Sequence, residues 1–186
     1  MSADDRVGPP PLPTLPQPWS VRIAHGEGDL ALIHRWMSAP HVEEFWYQHW
    51  PLERWRAELD AQLAGARSLP CLVAHDDADL AYIEVYRVLR DRLAGHYPHE
   101  PHDLGVHIAI GELDRTGRGL GRALLRALAL GLLAADSDCD HVVAEPDASN
   151  APSISAFRAA GFIPTSEVSL SDKTATLMIY HRRTVQ

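Results

Sequence analysis

Residues 103–135 read DLGVHIAIGELDRTGRGLGRALLRALALGLLAA. In the first nine, Leu104, Val106, Ile108 and Ile110 alternate with Gly105, His107, Ala109 and Gly111, the period of a β-strand. From Gly121 onward leucines recur at helical spacing, so a helix follows the strand. Between them lie Gly117, Arg118, Gly119, Leu120 and Gly121. Glycines let the backbone turn tightly and approach a ligand closely, and the free N–H groups of a first helical turn converge on one spot that attracts anions. A strand, a glycine-rich turn and a helix in this order predict an α/β fold with a phosphate site at the helix mouth. The turn carries neither GxGxxG nor GKS/T, so it is not a dinucleotide fingerprint or a Walker loop. Arg115, Arg118, Arg122 and Arg126 fall in a stretch without acids, the last three at i, i+4 spacing, where one helix face would meet the further phosphates of a nucleotide-bearing cofactor. A solvated basic face is the alternative. The strand's second face, glycine and alanine around a single imidazole, suits an extended ligand lying beside His107, a natural general base near neutral pH. The alternative there is a buried histidine satisfied by one hydrogen bond.

On either side of this stretch, WSVRIA (19–24) reads as a strand and DLALIHRWMS (29–38) as a helix starting near Asp29 and stopping before Pro40. HVEEFWYQHW (41–50) is aromatic and fits no period. Leu52, Trp55, Leu59 and Leu63 mark a second helix, closed by Gly65. SLPCLVAH (68–75) and DLAYIEVYRVL (79–89) form a predicted hairpin. After the polar loop DRLAGHYPHEPH and the segment quoted above come a strand, HVVAEP (141–146), a helix, SNAPSISAFRAAG (149–161), and a terminal strand pair, FIPTSEVSL and ATLMIYHRR. The predicted order is β-α-α-β-β-β-α-β-α-β-β, a mixed sheet of about seven strands. Residues 1–18 hold six prolines, which excludes helix and sheet pairing and predicts a Pro-rich tail or strap ahead of one domain, 19–186.

The chain's 186 residues are 46% hydrophobic and 23% charged, the composition of a folded globular domain. A formal charge of −8 argues against nucleic-acid binding. No apolar run suggests a membrane span and the first residues lack a secretion signal, so a cytoplasmic protein is expected. Cys71 and Cys139 stand apart, which points to structural thiols, with an acyl-carrier role as the rival reading.

Further polar residues offer chemistry. Glu145 ends a strand before Pro146, at an edge where open sheets place clefts, and would orient His107 or hold an ammonium. Asp147 is its rival, and Ser149 is a candidate helix cap. Tyr82, Glu84 and Tyr86 alternate onto one side of their strand, a carboxylate between aromatics that suits a cationic acceptor. Trp46, Trp50 and Trp55 read as pocket wall or core. His96, His99 and His102, with Glu100 and Asp103, invite a metal reading, but the prolines between them fix no ligand geometry, and none is assigned.

The order of elements, with TGRGLG at the pyrophosphate loop and NAPSISAFRAAGF at the second coenzyme-side helix, resembles the GNAT acyltransferase superfamily from Trp19 to Arg182. HVEEFW, SLP, YIEVY, HYPHEPHDLGVHIAI and EPDASN resemble its siderophore branch, the hydroxylysine and mycobactin lysine acyltransferases. That resemblance implies an acyl-CoA co-substrate (acetyl, succinyl or longer), an N-hydroxylated amine acceptor and a hydroxamate product, with no metal. It implies His107 and Glu145 as catalytic residues. Ile108, Ile110, Arg115, Gly117 to Arg122, Asn150, Ser153 and Phe157 fall along the coenzyme, and Trp46, Glu84, Tyr86, His96 and Asp147 at the acceptor. An aminoglycoside or other small-amine acetyltransferase, or a non-catalytic coenzyme-binding module, would share the loop. Two departures stand out: Thr116 replaces the Gln or Arg that opens the superfamily loop, and Phe157 replaces the tyrosine that protonates the leaving thiolate.

Overall fold

The computed structural model of the chain describes residues 7–182. All seven strands expected from alternation are present: β1 (Trp19–Ile23), β2 (Ser68–His75), β3 (Ala78–Arg87), β4 (Leu104–Ile110), β5 (His141–Ala144), β6 (Ile163–Ser169) and β7 (Thr174–His181). They form one sheet in the order β1-β2-β3-β4-β5-β7-β6. Neighbours run antiparallel except β4 and β5, which are parallel.

Helices cover both faces, as the alternation requires. Helices α4 (Leu120–Ala135) and α5 (Ala151–Ala160) bury their leucines, Phe157 and Ala160 against Cys71, Val73, Ile83, Val106 and Val142. On the opposite face α1 (Gly26–Met37), α2 (Pro40–Trp46) and α3 (Leu52–Ala64) pack Ile33, Trp36, Val42, Trp55 and Leu59 on Leu72, Tyr82 and Ala109. The central strands β2, β3 and β4 thus feed two cores from alternate residues.

Three details depart from the sequence reading. The aromatic segment without a period is helix α2, too short at 7 residues to show one. Pro40, expected only to stop α1, opens α2 at its first turn, where the missing N–H would have had no helical partner. In α3 the predicted apolar stripe is broken: Leu52 and Leu63 are exposed, while Gln62 is buried, for a reason found at the site below.

The β4–β5 ladder has two residue pairs, Leu104 with Val142 and Gly105 with Val143. Beyond them the strands part, and the edge of β4 from Val106 to Ile110 faces a groove toward α5. Residues 7–18 contain no helix or strand; residues 1–6 of the predicted tail lie outside the described residues. The segment is bound as a strap, with Arg87 and Arg90 donating to the carbonyls of Val7, Gly8 and Pro9. Further along, a Cβ on Gly131 of α4 would stand 2.7 Å from the Thr14 carbonyl oxygen. Among the described residues no helix is long and apolar enough to cross a membrane.

Candidate active site

The β3–β4 register sets Glu84 opposite His107, Tyr86 opposite Gly105 and Tyr82 opposite Ala109. Directly opposed residues share a face with their Cβ atoms about 5 Å apart. The bare face of β4 is therefore not an open ledge: the Tyr86 ring occupies the space a Cβ on Gly105 would need, and the Trp36 ring does the same at Gly111. The expectation of a ligand lying along that whole face is corrected on this ground. The glycines make room for the protein's own aromatics, and His107 and Ala109 are left as the residues of that face that reach a cavity.

His107 sits between two carboxylates. Its Nδ1–H donates to Glu84 Oε2 at 2.9 Å and its Nε2–H to Glu145 Oε1. The other oxygen of Glu84 accepts from the Tyr82 hydroxyl at 2.8 Å and from Gln62 Nε2 at 3.0 Å, which is why Gln62 turns inward from α3. The other oxygen of Glu145 accepts from the Tyr86 hydroxyl at 2.6 Å. Trp46 presents an edge to the imidazole, with ring centroids 5.9 Å apart. Tyr86 and Glu84, expected to meet a cationic acceptor directly, are spent on holding the imidazole and Glu145; of the two, only Glu84 also lines the cavity.

Burial alone would favour a neutral ring, but the charge and hydrogen bond of Glu145, with those of Glu84, outweigh it and raise His107 to about 10. Burial likewise opposes the Glu145 carboxylate, yet the charge and hydrogen bond of His107, the charge of Lys173 and the Tyr86 hydroxyl bring it down to about 2. Glu84 is lowered against its burial by His107, Gln62 and Tyr82. The resting ring is thus an imidazolium with both N–H groups donated, and it has no lone pair with which to accept a proton. A base at this site is then a carboxylate and not the ring.

Two chambers meet beside this ring. One, of about 330 Å³, is lined by His107, Glu84, Glu145, Asp147, Trp50 and Lys173 among others. The second, of about 390 Å³, follows the separated edge of β4 past Ile108, Ala109 and Ile110 to Gly117, Gly119, Gly121 and Arg122. Phe45, Trp46, Ile108, Asn150 and Ser153 line both.

The glycine turn is open: Gly117 and Gly119 have φ of 67° and 80°, and nothing lies within 4 Å of where their Cβ atoms would be. Side chains at these positions would be strained and would obstruct an approaching anion. Arg122 lines the second chamber. Arg118 does not, because α4 begins at Leu120 and Arg118 precedes it in the turn, so the predicted three-arginine helix face is reduced to Arg122 and Arg126. Arg115 ends a short 3-10 turn and Leu120 opens α4, neither against the chamber. Asn150, not Ser149, caps α5, its Oδ1 accepting from the Ser153 N–H at 3.0 Å. Phe157 packs edge-on against Phe162 and closes the first chamber from the core side.

Asp147 lines the first chamber and accepts from the Tyr47 hydroxyl at 3.1 Å and the Ser149 N–H at 2.8 Å. His96 is exposed in the loop after a 3-10 turn and joins neither chamber. The histidine-rich loop does not gather around one point. His102 donates to Asp136, which also pairs with Arg87, and Asp103 binds Tyr97 and His141. Cys71 and Cys139 are buried, their thiols pushed up to about 12 by that burial, and line neither chamber. Sequence reasoning missed Gln62, Tyr47 and Lys173, all drawn in by contacts distant along the chain.

Residues 25–170 match the acetyltransferase (GNAT) domain family. The lysine N-acyltransferase MbtK of Mycobacterium sp. (strain MCS) is 38% identical over 144 residues, 77% of this chain and 59% of that protein. The N(6)-hydroxylysine O-acetyltransferase of Escherichia coli is 31% identical over 163 residues, 88% of this chain and 52% of that one. The chain therefore spans between half and two thirds of these relatives' length. The structure of AAC(6')-Ib with paromomycin and acetyl-CoA superposes with a TM-score of 0.78 at 25% identity, covering 90% of this chain and 95% of the other. With a family match that runs from α1 to the end of β6 and a sheet that parts where the chambers meet, the chain belongs to the GNAT acetyltransferase family.

Proposed function

We propose that the chain transfers an acyl group from coenzyme A to an N-hydroxylated amine of the hydroxylysine or hydroxycadaverine type, giving a hydroxamate for siderophore assembly. The observation that carries this reading is the His107–Glu145 pair in the first chamber, beside Trp46 and Ile108, which line both chambers. The second chamber suits the coenzyme: an open glycine turn and Arg122 for the diphosphate, the edge of β4 at Ile108 and Ile110 for the pantetheine amides, where the Ile110 carbonyl already accepts from His41 at 3.0 Å, and Asn150 and Ser153 at the thioester end. The solved relative with acetyl-CoA and the relatives named for lysine and hydroxylysine support both co-substrates.

N-hydroxylation lowers an amine's basicity, so the nucleophile arrives with its lone pair free. It attacks the thioester carbonyl while held between Trp46, Asp147 and the catalytic pair, and Glu145 takes its proton. The reaction calls for no metal. In this reading residues 19–186 form one acyltransferase domain with residues 7–18 strapped to it, working in the cytoplasm, where acyl-CoA is held.

The test is a ferric-complex colour assay for hydroxamate, with thiol release measured in parallel, using acetyl-CoA, succinyl-CoA and a longer acyl-CoA. The acceptors are hydroxylysine, hydroxycadaverine and an aminoglycoside. Colour with the hydroxylamines supports the proposal. Thiol release on the aminoglycoside alone overturns the acceptor, and coenzyme binding without turnover on any acceptor overturns the enzyme.

A further inference from the structure

We infer that Glu84 is a positioning residue that holds Nδ1–H of His107, so that of the two ring nitrogens only Nε2 exchanges protons, giving one to the leaving thiolate and regaining the acceptor's by way of Glu145. This deepens the reaction proposed above and rests on it. Glu84 lies on β3 directly opposite His107. Its Oε2 faces the ring while its Oε1 is filled by Tyr82 and Gln62, and Gln62 is itself tied to Glu58 at 3.0 Å. No freedom is left for Glu84 to swing toward a substrate, although it borders the chamber.

The groups facing His107 are Glu84 and Tyr86 from β3, Glu145 from the end of β5 and Trp46 from α2. Lys173 acts behind Glu145, on its carbonyl. Two carboxylates thus serve one ring, and their duties differ. Glu84 is held on its far oxygen by two donors from β3 and α3, whereas Glu145 has the one Tyr86 hydroxyl there and follows the end of β5, where β4 and β5 have parted.

A balanced cycle follows. The C–N bond forms as the neutral acceptor nitrogen attacks, and its surplus proton passes to Glu145. The C–S bond breaks as Nε2–H of His107 protonates the departing thiolate, a task Phe157 cannot perform. Glu145 then returns its proton to Nε2, and the imidazolium between two carboxylates is restored. Glu84 keeps the Nδ1 proton throughout, so the ring neither flips nor changes its working nitrogen.

The test reads the ring directly. In the wild-type protein, ¹⁵N chemical shifts of the His107 ring at pH 7 should show both nitrogens protonated; a neutral ring overturns the inference without any variant. Glu84→Gln should lower the His107 titration midpoint by about one pH unit or more. It should move the alkaline limb of kcat the same way and leave KM for acyl-CoA within about twofold. Glu84→Asp, which keeps the charge, should recover most of the midpoint. Lost turnover in Glu84→Gln with an unmoved midpoint and limb would mark Glu84 as merely structural. If the wild type forms no hydroxamate while its ring signals are as expected, the acceptor assignment falls and the relay stands.

Discussion

Lys173 donates from Nζ to the backbone carbonyl of Glu145 at 2.7 Å, tying the turn between β6 and β7 to the end of β5. The contact fixes where the Glu145 side chain leaves the sheet, and the lysine's charge also helps keep that carboxylate ionised. Lys173→Met removes both effects. Turnover should fall about 10- to 100-fold, folding stability should drop by about 1 kcal/mol, and KM for acyl-CoA should hold, because the contact lies on the acceptor side. Steady-state kinetics and denaturant melts check this, and an altered coenzyme KM with normal turnover would contradict it.

The doubly paired imidazole has a consequence for stability against pH. His107 titrates at about 10 in the folded chain against roughly 6.5 unfolded, so its pairing stabilises fully below about 6.5 and is lost as pH climbs toward 10. Glu145 titrates at about 2 against roughly 4.3 unfolded, so its share is complete above about 4.3 and disappears as pH falls toward 2. The two windows overlap between about 4.3 and 6.5. In His107→Gln, Glu84 and Glu145 flank a neutral amide with no cation between them, and their ionisation becomes unfavourable. Thermal midpoints measured from pH 4 to 10 should therefore begin to fall at lower pH in the variant than in the wild type; parallel curves would refute the pairing.

How far the sequence carried the site depended on whether a feature was local or long-range. Strands, the glycine turn and α4 were legible because each rests on a period or a turn within a dozen residues, and α2 was not, because two turns show no period. His107 and Glu145 stood out, and orienting His107 was one of the two roles offered for Glu145, but the second carboxylate on the ring, Glu84, was not foreseen. The register that sets Glu84 against His107 joins positions 23 apart, and Tyr86 reaches Glu145 across 59. Glycine on the face of β4 was read as room for a ligand because composition records only that a side chain is missing. Whether Tyr86 or a substrate fills the space is decided by packing. Gln62 was hidden for the same reason: at a helical position, only the buried carboxylate of Glu84 explains a polar residue pointing inward.

Two glycines should respond to alanine in opposite ways. A Cβ at Gly105 would overlap the Tyr86 ring, and that ring cannot move without taking its hydroxyl from Glu145. Gly105→Ala should cost roughly 1–3 kcal/mol or more of stability and lower turnover together. At Gly117 the space is empty and the strain is in the backbone, at φ 67°. Gly117→Ala should cost only about 1 kcal/mol, with its main effect a raised KM for acyl-CoA. Melting curves and kinetics on both variants separate the cases.

The arginines around the glycine turn give the sharpest check on where the diphosphate sits. Arg122 lines the chamber in the first turn of α4, while Arg118 lies ahead of the helix and does not line it. A guanidinium in charge-assisted contact with phosphate is worth about 1.5–3 kcal/mol, or roughly 10- to 100-fold in affinity. Arg122→Gln should therefore weaken acyl-CoA binding by at least about tenfold, and raising the salt concentration should narrow its gap from wild type. Arg118→Gln should change affinity by less than about twofold. Titration calorimetry of both variants with coenzyme A decides it: equal losses would place the phosphates outside the chamber, over the turn, and a larger loss at Arg118 would reverse the assignment.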